Sequence, residues 1–235
     1  MQSLDKKLYS FRADASALGG YLEQPFAKNI RTIAPVSLPP VGGFAMARSE
    51  AFTLNEIVRC SSAYTRVSGR ELDGSISILV TAVVEDLNLL EVVTARRVVS
   101  QLSISIPEGG ARQISLVGSR FEGLQVAGTD AFRGPDIQRI GWARRGRLIQ
   151  STEEPDDENA AESAEKGDAC DDWRSVIDGC EGSSVVIPGF GRITLGQLLV
   201  TADSVQLIAI RADLGCPVTG GATFSAVGGG GVHEN

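Results

Sequence analysis

The chain has 235 residues, a formal net charge of −7 at pH 7, 27 glycines and only 6% aromatic residues. That length suits one large β-domain or two small ones. The acidic balance argues against nucleic acid or an anionic membrane as the main partner, since both require a positive surface, and no apolar run is long enough for a helical membrane span.

Residues 1–25 are polar and mixed. Tyr9, Phe11, Leu18, Tyr21 and Leu22 suit either an edge strand or a short helix. The opening Met1-Gln2-Ser3-Leu4-Asp5-Lys6-Lys7 lacks an apolar leader core, so the sequence as written predicts a cytoplasmic protein or one whose leader is absent from it. Residues 33–43 contain Pro35, Pro39 and Pro40. Proline cannot donate to a ladder, so this stretch is expected at a sheet edge or in a loop.

A strand-rich body follows. Phe52 to Val67 reads as a strand pair, and Leu72-Asp73-Gly74 as a tight turn, because Asp-Gly tolerates positive φ. From Ser75 to Glu85, Ile76, Ile78, Val80, Ala82 and Val84 face one way, the period-2 signature of a strand. A break is expected at Asp86-Leu87-Asn88. A further strand then runs from Val92 to Ile106, with Val98, Leu102, Ile104 and Ile106 on one face, and Pro107-Glu108-Gly109-Gly110 ends it. Helix competes over Leu87 to Leu102, but the β-branched Val92, Val93, Thr94, Val98 and Val99 favour strand. Gln113 to Val117 and Phe121 to Val126 read as another pair.

Residues 129–150 are basic, with Arg133, Arg139, Arg144, Arg145 and Arg147 around Trp142. Residues 151–172 are acidic and nearly devoid of apolar side chains, which predicts a disordered insertion. Strand pattern resumes at Ser184 to Ile187, continues through Arg192 to Arg211 and ends at Ala222 to Val227. Gly228 to Gly231 then reads as the start of a flexible tail. Val93-Thr94-Ala95 is echoed by Val200-Thr201-Ala202, which suggests related strand units.

The expected architecture is all-β and mainly antiparallel, a sandwich or a barrel-like sheet with a disordered acidic insertion. It divides into an N-terminal arm and connector (1–44), one β-domain (45–227) with a charged insertion at about 129–172, and a tail (228–235). Of the four cysteines, Cys170 and Cys180 flank a short polar segment and suit a small disulfide loop. No metal site or cofactor is expected: there is no C-x-x-C pair and the single histidine, His233, lies in the tail. That placement also argues against a catalytic triad. A carboxylate pair on a β-scaffold remains an alternative without any particular pair to carry it.

Asp86-Leu87-Asn88-Leu89-Leu90 followed by Val93-Thr94-Ala95, then Phe121-Glu122-Gly123-Leu124-Gln125-Val126-Ala127-Gly128, then Ile187-Pro188-Gly189-Phe190-Gly191-Arg192-Ile193-Thr194-Leu195, resemble segments of the choice-of-anchor P family of bacterial exported proteins. The resemblance covers roughly residues 45–212. It implies an all-β surface or secreted module and brings no catalytic motif. The chain departs from the family in showing neither leader nor anchor and in carrying the charged insertion.

The functional expectation is a non-catalytic structural or interaction protein of a bacterial surface or extracellular assembly. It would self-associate as a homo-oligomer through sheet edges and through the basic cluster Arg133, Arg139, Trp142, Arg144, Arg145 and Arg147 facing the acidic run. The alternative is a carbohydrate-binding module stacking a glycan on Trp142, Trp173 and Tyr64.

Overall fold

The computed structural model describes residues 9–25, 27–130, 149–150, 180–181, 184–201, 203–215 and 217–233. These form two antiparallel sheets and no helix. The first sheet opens with β1 (Tyr9–Gln24), β2 (Lys28–Ile33) and β3 (Val36–Ser37). The chain crosses to the second sheet for β4 (Gly43–Ser49), β5 (Phe52–Leu54), β6 (Val58–Cys60), β7 (Ser62–Leu72), β8 (Ser75–Leu89) and β9 (Val93–Ile106). Still in that sheet are β10 (Gln113–Ser115), β11 (Arg120–Glu122), β12 (Gln125–Val126), β13 (Thr129–Asp130) and β14 (Ile149–Gln150). It returns to the first sheet for β15 (Cys180–Glu181), β16 (Ser184–Ile187), β17 (Gly191–Val200), β18 (Ser204–Leu214) and β19 (Thr219–His233). β1 and β19 pack across β7, β8 and β9, so the molecule is a sandwich with its core between the sheets.

The alternation expected over β8 holds: Ile76, Ile78, Val80, Ala82 and Val84 are all buried. Asp73 and Gly74 both adopt positive φ, 49° and 72°, in the two-residue hairpin joining β7 to β8. The proline segment is an edge, as expected. Leu38 N–H donates to Ala13 O and Phe11 N–H to Pro40 O, so the chain follows β1 past β3 on its outer side.

Each sheet is creased once, and the crease explains several differences from the sequence reading. In the second sheet the inward set of β8 runs Ile76, Ile78, Val80, Ala82, Val84 and then Leu87 and Leu89. One interval of three replaces an interval of two at Asp86, whose φ is 49°. The same slip occurs in β9, where inward Val93 and Ala95 give way to Val98, Leu102 and Ile104. Because the neighbouring strands slip together, pairing keeps one register: Glu85 meets Arg97, and Leu87 meets Ala95. β6 and β7 are thus two halves of one strand bent at Ser61, and β11 and β12 two halves of another bent at Gly123. The break expected at Asp86-Leu87-Asn88 is this crease, and β8 continues to Leu89. The true reversal lies at Leu90 and Glu91, both at positive φ. Gln113–Ser115 and Arg120–Glu122 pair with β9, not with each other.

The first sheet creases along Gly196, Ala209, Ser225, Ala17 and Ala34, the positions where pairing skips or turns. Gly196, Ser225 and Ala34 have φ of 64°, 54° and 47°. A crease inside a core strips carbonyls from the ladder, and each must find a donor. Here the donors come from the facing sheet. Thr65 Oγ1 donates to Ala34 O at 2.6 Å, and Ser100 Oγ donates to Ser225 O at 2.6 Å. Ser225 Oγ accepts from Ser100 N–H at 3.0 Å and donates to Ala82 O at 2.8 Å, so the hydroxyl is spliced into the β8–β9 ladder. Thr65, Ala82 and Ser100 are direct cross-strand partners, and Thr65, Ser100 and Ser225 are fully buried. This polar waist separates an apolar cluster containing Leu18, Val84, Val98 and Phe224 from one containing Phe11, Val80, Leu102 and Val227. Alanine at 17, 82 and 209 leaves the room that lets the two sheets touch.

Two boundaries expected from sequence are corrected. Residues 9–24 are no arm: β1 is an interior strand between β19 and β2. Gly228 to Gly231 are no tail, since β19 pairs with β1 through Tyr9–His233 and with β18 through Ser204–Gly230. Glycine is required there by close approach. A Cβ at Gly230 would stand 2.1 Å from Asp203 O, and one at Gly229 2.9 Å from Ile104 Cδ1. The echoed segments are not equivalent either: Val93 opens β9, whereas Val200 closes β17 and Thr201 turns toward β18.

Candidate functional site

Two surfaces carry unusual chemistry: an open edge and a polar trough, both on the second sheet. The edge is β4, Gly43-Phe44-Ala45-Met46-Ala47-Arg48-Ser49, which pairs only with β7 among the described residues. Phe44 and Met46 are 53% and 60% exposed, and Val41 just before them is more exposed still. The Arg66 guanidinium lies 5.0 Å from the Phe44 ring centroid, a cation–π contact that fixes the ring on the outer face. Native sheets guard their edges with lysine, proline or bulges. The β2–β3 edge of the first sheet has such guards in Lys28, Arg31, Pro35, Pro39 and Pro40. β4 has a single charge, Arg48, and no proline.

The trough lies on the outside of the second sheet's crease and has a volume of about 360 Å³. It is lined by Arg59, Asp86, Asn88, Thr94, Arg96, Gly123 and Gln125 together with backbone at Leu87 and Ala95. Arg59, Asn88, Thr94 and Gln125 form one cross-strand row over β6, β8, β9 and β12. Ser61 Oγ donates to Asp86 Oδ2 at 2.6 Å, and Glu91 N–H donates to Asn88 Oδ1 at 3.0 Å, so both acceptors are held in place. Arg96 reaches Glu122 at 3.5 Å. The Arg59 side chain has no hydrogen bond or ion pair to another described residue, although its backbone pairs within the sheet.

Beside the trough the face is closed by charge pairs. Arg97 Nε lies 3.1 Å from Glu85 Oε1, and Arg97 Nη2 donates to the Tyr64 hydroxyl at 3.2 Å. Arg120 Nε donates to Glu122 Oε1 at 2.8 Å, and that bond, with the nearby guanidinium charges, holds the Glu122 carboxyl below its ordinary range. Tyr64 is half-buried, with its hydroxyl held by Arg97. Burial pushes the Cys60 thiol up, away from reactivity.

A family model described as a domain of unknown function (DUF8256) matches residues 9–141, more than half of the chain. The chain belongs to the DUF8256 family. No curated protein and no solved structure matches it. The DUF8256 match begins at the first residue of β1 and takes in the whole run from β1 to β13, with both the β4 edge and the trough. β16 to β19 lie beyond it, although β19 lines β1 over its full length. The folded unit in this DUF8256 protein is therefore larger than the matched region.

The expected basic cluster, Arg133, Arg139, Trp142, Arg144, Arg145 and Arg147, lies outside the described residues, as do Trp173, Cys170 and the acidic run. Cys180 is placed in β15, opposite Val185. The trough residues were missed because Arg59, Asn88, Thr94 and Gln125 are far apart in sequence and meet only through register. The β4 edge was missed as well: Gly43, Ala45 and Ala47 are weak strand formers, so its pattern gave little strand signal.

Proposed function

We propose that this protein is a non-catalytic interaction module that self-associates by pairing β4 with β4 of a second copy. The observation that carries this reading is the contrast between the unguarded β4 and the guarded β2–β3 edge. An antiparallel pair centred on Met46 joins the two sheets across a two-fold axis, as an isologous contact requires. It sets Met46 against Met46 and Phe44 opposite the Arg48 of the second copy, a second cation–π pairing. Covering the exposed parts of both residues in both copies removes roughly 400 Å² from water, a gross gain of about 10 kcal/mol. Association costs roughly 4–15 kcal/mol, so a micromolar or weaker dimer is expected. The resemblance to the choice-of-anchor P family supports placing such a module at a bacterial surface or in an extracellular assembly.

Sedimentation equilibrium of the wild type and Met46→Lys tests the proposal. Lysine restores the guard that β4 lacks. The wild-type mass is expected to rise toward the dimer with concentration while the variant stays monomeric. A wild type that remains monomeric at high concentration, or a variant that associates equally well, would overturn it.

A further inference from the structure

We infer that the trough over the second sheet's crease is a binding site for a carboxylate-bearing saccharide, a uronic-acid oligosaccharide. The inference does not depend on edge pairing, because the trough lies on the sheet face across β6, β8, β9 and β12.

The physical reasons are these. Arg59 is a guanidinium without a carboxylate partner among the described residues, in a chain with seven more acidic than basic groups. Guanidinium matches carboxylate in a bidentate fork. Among the described residues Arg96, on the same wall, is tied only by a long contact to Glu122, 3.5 Å, while the stronger bond to that carboxylate comes from Arg120 at 2.8 Å. Arg96 is therefore available to a second anionic group. Between the arginines lie the amide of Asn88, the hydroxyl of Thr94 and the carboxylate of Asp86, which together donate to and accept from sugar hydroxyls. Ser61 and the Glu91 amide hold Asp86 and Asn88 before a ligand arrives, which lowers the ordering cost of binding.

Gly123 keeps the floor open: its φ is 62°, and a Cβ there would stand 3.4 Å from Arg96 Cβ. Among the described residues no aromatic side chain lines the trough, so they offer a neutral sugar no stacking platform. Asp86 disfavours phosphate, whose double charge it would repel. The surviving class carries single carboxylates among many hydroxyls.

Isothermal titration with trigalacturonate tests the assignment, with cellotriose as the neutral reference. The proteins are the full chain and the variants Arg59→Ala, Thr94→Val and Arg70→Ala. Arg70 is an exposed arginine at the opposite end of β7, against Ser77, and controls for general charge. Matching circular dichroism and urea midpoints establish that each variant folds. Trigalacturonate is expected to bind and cellotriose not. Arg59→Ala should weaken binding by at least tenfold, about 1.4 kcal/mol, Thr94→Val by a smaller factor, and Arg70→Ala not at all. No binding at low-millimolar trigalacturonate, unchanged binding in folded Arg59→Ala, or equal losses in Arg59→Ala and Arg70→Ala would each overturn the assignment. The self-association test on Met46→Lys reads out separately, so either idea fails without the other.

Discussion

Replacing Ser225 by alanine probes the polar waist directly. The hydroxyl accepts from Ser100 N–H at 3.0 Å and donates to Ala82 O at 2.8 Å, and all three residues are fully buried. Alanine leaves that amide and that carbonyl without partners and out of reach of water. Each unsatisfied buried group costs about 1–3 kcal/mol, so Ser225→Ala should lose roughly 3 kcal/mol, a large share of the ~5–15 kcal/mol typical of a domain. Ser225→Gly removes the same hydroxyl but relieves the positive φ of 54°, so it should recover roughly 0.5–1 kcal/mol relative to alanine. Ser100→Ala strips one donor from Ser225 O and should cost roughly 1–2 kcal/mol. Ser77→Ala, on the outer face of β8, serves as control and should stay within about 0.5 kcal/mol of wild type. Urea unfolding followed by circular dichroism gives these values when the slope is unchanged among variants. If folded Ser225→Ala matched Ser77→Ala in stability, the hydroxyl would not be bridging the sheets and the account of the crease would be wrong.

Other consequences are accessible to similar assays. Gly230→Ala forces a Cβ to within 2.1 Å of the backbone oxygen of Asp203, just before β18, whereas a Cβ at Gly228 first meets the Asp14 side chain at 3.1 Å. Gly230→Ala should therefore destabilise by about 2 kcal/mol or more, and by clearly more than Gly228→Ala. Equal urea midpoints for the two would show that the glycine run is not a packed strand. Glu122 has a folded-state pKa lowered from 4.5 by the Arg120 hydrogen bond first and by the neighbouring guanidinium charges. A lowered carboxylate contributes stability above its unfolded pKa and loses it as pH falls through the folded value. The stability difference between wild type and Glu122→Gln should accordingly be present at neutral pH, shrink below about pH 4.5, and diminish in high salt. A difference that grew on acidification would contradict the pairing.

The fold class was readable because β8 and β9 carry long β-branched alternation, and because Asp73-Gly74 and the three prolines each have one comfortable structural use. β1 was obscured by its crease: inward Tyr9, Phe11, Ala13 and Ala15 give way to Leu18 and Leu22, so neither a period of two nor one of 3.6 fits the whole strand. β19 was hidden for a different reason. Several of its positions face a neighbouring backbone or Ile104 so closely that only glycine fits, and glycine carries no hydrophobic signal. The reversal at Leu90-Glu91 adopts positive φ with neither glycine nor asparagine, which leaves turn chemistry silent there. Of the candidate surfaces, β4 gave little pattern of its own, because Gly43, Ala45 and Ala47 are weak strand formers. The trough required the register of four strands, which local pattern does not encode.

The most direct test of the central claim is amide hydrogen exchange on the full chain at low and high protein concentration. Pairing through β4 predicts that protection at residues 43–49 rises with concentration while residues 28–33, on the guarded edge, exchange at a constant rate. Concentration-independent exchange along β4, or a rise confined to other strands, would contradict the claim that this edge is where two copies meet.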